Sequence, residues 1–156
     1  MCILVIRHLR RITVVRAQKM SSVLDLGKEH LHEALEGNLE ELMALFRARV
    51  SGWGKTYAHE EEMTVGLFSD LEQKIEPYLA FSLLSAVVDL AESEEDFDSF
   101  NCALDLASSL VVASGTTEIP RALQAKFSTL ESKAVRFGGE PVDSIAVIRG
   151  HYRNAL

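Results

Sequence analysis

From Ser22 onward, apolar residues recur at three- and four-residue intervals, and glycines, prolines and capping residues cut that pattern into segments. The first helix is expected over about 22–36. Ser22 caps it, Asp25 stands at the third helical position, and Gly37 stops it. Asn38 then caps "LEELMALFRARV", which ends before "SGWG". A third helix runs from near His59 to about Lys74, with Met63, Leu67, Leu71 and Ile75 at i, i+4 spacing. Pro77 opens "YLAFSLLSAVVDLA", which is apolar nearly all round and reads as the buried central helix.

The next helix is expected to start at Ser93, with Asp96 three residues on, and to close at Gly115. Phe97, Phe100, Leu104, Ala107 and Val111 trace its core stripe. Thr117 is read as the cap of a sixth helix that tolerates Pro120 in its first turn. Gly138 and Gly139 break the chain, and Pro141 leads into a short seventh helix with Val142, Ile145 and Ile148 on one side. Connections this short favour antiparallel neighbours. The fold class is therefore all-α: one domain over residues 20–156, an antiparallel helical bundle or short two-layer helical array of six or seven helices.

Length and composition agree with this. A chain of 156 residues, 47% hydrophobic and 25% charged, can bury a core without a metal or a disulfide framework. Cys2 and Cys102 lie far apart in unlike settings, and Cys102 falls within an apolar helical pattern as a small buried hydrophobe. With no disulfide framework and no secretory signal, the cytoplasm is the expected compartment. Residues 1–19 differ from all that follows, carrying five Lys or Arg and no acid. Their apolar run "CILVI" is too short for a signal or a membrane span, and a helix through them has no clean apolar face. They read as a basic extension outside the domain, with Met20 as a natural beginning of the folded chain.

The remaining charge is segregated. Residues 60–98 hold 12 acids and one base, Lys74, whereas residues 121–156 hold six bases and three acids. An acid in the first turn of a helix complements the helix dipole, which explains where many of these acids stand. It does not explain why bases are missing between them. Such a field repels nucleic acid and attracts a basic protein. The expected partner-binding residues are Glu60, Glu61, Glu62, Asp70, Glu92, Glu94, Glu95, Asp96 and Asp98, with Trp53 and Tyr57 as aromatic anchors beside them. Reversing Glu94, Glu95 and Asp96 is expected to weaken binding and leave thermal stability nearly unchanged.

Catalytic and metal chemistry finds no support. "SGWGKT" ends like a phosphate-binding loop, but position 49 is Arg where that loop needs Gly, and a helix precedes it where a strand is required. His30 and His32 point about 200° apart on a helix and cannot share a metal. There is no nucleophile elbow and no cysteine with an evident histidine partner. The reading involves no catalytic residue, no metal and no cofactor. No membrane or nucleic-acid partner is expected either.

The stretch "FDSFNCALDLASSLVVASGTTEIPRAL" (97–123), through "ALDL", the apolar helix after it and "TTEIP", resembles the later part of small helical immunity proteins encoded beside bacterial polymorphic or contact-dependent toxins. The resemblance implies a cytosolic protein that binds one cognate toxin domain, often a basic nuclease, and blocks its active site or an essential surface. It carries over no individual site residue. The expectation is thus a non-enzymatic immunity or inhibitor protein that meets a basic toxin domain through its acidic surface. A helical scaffold binding through an apolar groove and a small helical enzyme are the alternatives.

Overall fold

The computed structural model describes residues 28–52, 58–153 and 156, and the side chains of these apart from 52–65. Among them are seven helices and no strand: α1 over 28–35, α2 Leu39–Gly52, α3 Ala58–Lys74, α4 Pro77–Ser93, α5 Phe97–Ser114, α6 Arg121–Phe137 and α7 Glu140–His151. Residues 1–19 and the Met20 start lie outside the described residues.

Local chemistry sets most boundaries. Asn38 Oδ1 accepts from the backbone N–H of Glu40 and Glu41 at 3.1 and 3.3 Å, which satisfies two donors at the start of α2. Pro77 occupies the first turn of α4, where its missing N–H costs nothing. Gly115 takes the left-handed conformation (φ 59°) that ends α5. Two starts differ from expectation. Ser93 is the last residue of α4, its hydroxyl donating to Leu90 O at 2.8 Å, and Asp96 is the cap of α5. Thr117 does not cap α6, which begins only after Pro120; the neighbouring Thr116 accepts from Glu118 N–H in the connection instead.

Hydrogen bonds and ring contacts give the direction of packing. Phe97 at the start of α5 meets Phe137 at the end of α6, ring centroids 5.9 Å apart, so these two helices run oppositely. Asn101 reaches Glu140 at the start of α7, and His151 near its end bonds Thr116 O, so α5 and α7 run the same way. Lys126 and Lys133 of α6 meet successive turns of α4 near Asp89 and Glu92, which makes α4 and α6 parallel. The hairpins α4–α5 and α6–α7 thus stack side by side, α4 against α6 and α5 against α7. This is a two-layer array, with α2 and α3 packed on the far side of α5.

The central helix is α5 rather than α4. Its buried residues include Phe100, Leu104, Leu106, Leu110 and Val111, while Tyr78 of α4 is 69% exposed. The reason is hidden in its serines. Ser108 and Ser114 donate to the carbonyls of Asp105 and Val111 at 2.9 and 2.8 Å, so a polar side chain is buried with its hydrogen bond made on its own helix. All seven helices contribute to one buried cluster. Ile145 and Ile148 join it from α7, but Val142 stays 39% exposed.

Candidate protein-binding surface

Because α4 and α5 are antiparallel, the end of one and the start of the other meet at residues 94–96. That junction gathers Glu92, Glu94, Glu95, Asp96 and Asp98. Their fates differ. Glu92 and Asp89 both hold Lys126 of α6, the latter pair at 2.9 Å. Those two carboxylates hold the Lys126 ammonium above its ordinary range, chiefly by accepting its hydrogen bonds, Asp89 first and then Glu92. Lys133 approaches the same turn from below. Its ammonium donates to Glu92 O at 2.9 Å and lies 4.9 Å from the centre of the Phe100 ring, so its charge is engaged although the residue is buried.

Asp96 has a different task. Its Oδ1 accepts from Ser99 N–H at 2.9 Å, and these bonds from the Ser99 backbone and side chain hold its carboxyl below the usual range. A lysine there would remove a cap, so charge reversal at Asp96 carries a stability cost and does not test binding alone.

Glu94, Glu95 and Asp98 remain. Glu95 and Asp98 are exposed and Glu94 is half-buried, and none of the three has an ion-pair partner among the described residues. Between them stands Phe97, 36% exposed, its ring edge-on to Phe137. Phe137 also packs on Phe100, ring centroids 5.4 Å apart, so the exposed ring is braced from the core. An aromatic held rigidly among free carboxylates offers a basic partner both apolar area and charge, with little side-chain freedom left to lose.

Of the other expected residues, Asp70 does not join this junction. Asp70 pairs with Lys74 on α3 at 3.4 Å, and the connection after α3 leads to the opposite end of α4, a 17-residue helix about 25 Å long. Glu60, Glu61 and Glu62 fall within α3, but their side chains, together with Trp53 and Tyr57, lie outside the described residues. So does most of "SGWGKT", although α2 runs through Gly52 and no strand leads into it.

Sequence reasoning missed three features. The bases that answer the acids of α4 come from α6, and the six bases of 121–156 were their signal. Phe97 was expected in the core. Arg49 of α2 is buried against α5, where burial pushes the Asp105 carboxyl up while Arg49 draws it down. Cys102 is buried as expected, and burial pushes its thiol up to about 12, out of reach of thiolate chemistry at neutral pH. No group of three or more His, Cys, Asp or Glu that could hold a metal occurs among the described residues, and no described helix is long and apolar enough to cross a membrane. No protein family, curated protein or solved structure matches this chain.

Proposed function

We propose that this chain is a non-enzymatic binding protein of the immunity or inhibitor type, and that the α4–α5 junction meets a basic protein such as a toxin domain. The observation that carries the reading is the set Glu94, Glu95 and Asp98 around the braced, part-exposed Phe97, with no cation assigned to any of the three carboxylates among the described residues. These acids would pair with lysines and arginines that otherwise grip phosphates, while Phe97 fills a pocket between them. The resemblance of residues 97–123 to immunity proteins supports the same reading. Within "ALDL", Ala103, Leu104 and Leu106 are buried and serve the core.

The test compares the wild-type chain with Glu94→Lys/Glu95→Lys/Asp98→Lys, leaving the cap Asp96 in place. Both are immobilised, exposed at low salt to lysate of the source cells, and eluted by a salt step. A basic protein should be retained by the wild type and lost by the variant, with the purified pair weakened about 100-fold or more. Equal affinity for both chains refutes the assignment.

A further inference from the structure

The carboxylates left over at the α4–α5 junction have a counterpart in the same chain. Residues 1–19 hold Arg7, Arg10, Arg11, Arg16 and Lys19 and no acid, and the first three of these stand among Ile6, Leu9 and Ile12. The junction has the inverse make-up. Glu94, Glu95 and Asp98, with no ion pair among the described residues, surround the part-exposed ring of Phe97. Arginines among aliphatic residues thus face carboxylates around an aromatic ring, so charge and apolar area match together. Several other acids already have a cation: Asp89 and Glu92 share Lys126, Asp70 pairs with Lys74 and Glu131 with Arg149.

The chain is long enough for the two to meet. Gly37, just after α1, packs against Leu79 in the first turn of α4, at the end of that helix remote from the junction. With α4 about 25 Å long and α1 about 12 Å, Lys28 stands within roughly 40 Å of the junction. Fully extended, the chain from Arg11 to Lys28 spans up to about 60 Å. A tethered segment also meets its target at an effective concentration on the order of millimolar, so a contact too weak to hold a free peptide is populated. We propose that Arg7, Arg10 and Arg11 dock against Glu94, Glu95 and Asp98 of their own chain, with the aliphatic side chains between them on the Phe97 ring. A basic partner must then displace an internal basic segment. That consequence, unlike the docking, rests on the reading of the junction as the partner's surface.

A nitroxide coupled to Cys2 of the full chain tests the docking without any partner, because Cys102, the other cysteine, is buried. At low salt the label should broaden the amide resonances of residues 94–98 and lower their intensity severalfold. Arg7→Glu/Arg10→Glu/Arg11→Glu should restore them, and so should 1 M salt, where charges are screened within about 3 Å. Unchanged resonances of the buried Leu104 and Leu110 show that the fold is intact. Isotope-labelled chain without nitroxide, mixed with nitroxide-bearing chain without isotope, should show no broadening, since the contact lies within one chain. Partner capture by the Glu94→Lys/Glu95→Lys/Asp98→Lys chain is a separate readout, so either reading can fail without the other. Full intensity at 94–98 in the low-salt wild type overturns the docking. So does broadening that survives the arginine reversals, or broadening that appears in the mixture.

Discussion

The acids in the last turns of α4 and those around the start of α5 are close in sequence and carry the same charge, yet they do opposite things. Asp89 and Glu92 face across the layer to Lys126, and the carbonyl of Glu92 also takes the buried ammonium of Lys133. Glu95 and Asp98 face solvent, and between them Asp96 spends its carboxylate on the backbone of its own helix. A count of charges along the chain treats all five alike. Only the stacking of α6 on α4 shows which are already matched, and the free ones are those that no described cation approaches within ion-pair distance.

Both groups rest on one floor, and its removal is the most damaging change available. Phe100 is fully buried, with Lys133 over its ring and Phe137 beside it, and Phe137 in turn braces Phe97. Phe100→Ala should cost about 3–5 kcal/mol in urea denaturation, through lost burial and the cavity left behind. A loss below about 1 kcal/mol would mean that the paired and free acids do not share a support.

Next in size is the cap. Asp96→Ala should lower stability by about 1 kcal/mol at neutral pH. The folded-state carboxyl titrates below its ordinary value, so this contribution is fully present above the unfolded carboxylate range, about 3.9. It is lost as pH falls through the depressed folded value. The stability curves of the two chains should therefore run apart at pH 7 and converge in acid. A constant gap down to low pH would assign the loss to something other than the ionised cap, and would return Asp96 to the group of free acids.

The same two helices show what could be read in advance. Pro77, Asn38 and Gly115 act through local backbone chemistry, and each does in the structure what its residue type predicts. The division between α4 and α5 is less determined, because Ser93 and Asp96 are both good caps and the choice depends on where α5 must lie to bury Phe100. Which helix is central was hidden by composition. The serines of α5 dilute its apolar pattern, although hydroxyls bonded to their own helix are compatible with a core. The candidate surface was half legible: the surplus of acids is local, but the lysines that cancel part of it arrive from α6. Phe97 follows the apolar stripe and so reads as core, and its exposure is decided by the helix end on which it stands.

The smallest expected effect gives the finest test of the contrast. Lys126→Gln removes the cation shared by Asp89 and Glu92 without touching any residue at the start of α5. Lys126 is part-exposed and pairs with two carboxylates at the protein surface, so thermal stability should barely move. If the partner's basic surface extends along α4, the two released carboxylates should strengthen its binding at low salt, by less than about tenfold. That gain should vanish near 1 M salt, where charges are screened within about 3 Å. If affinity is unchanged even at low salt, the interface ends at the α4–α5 junction. The α4 acids then serve only to hold α6, and the boundary between matched and free charge is also the edge of the binding surface.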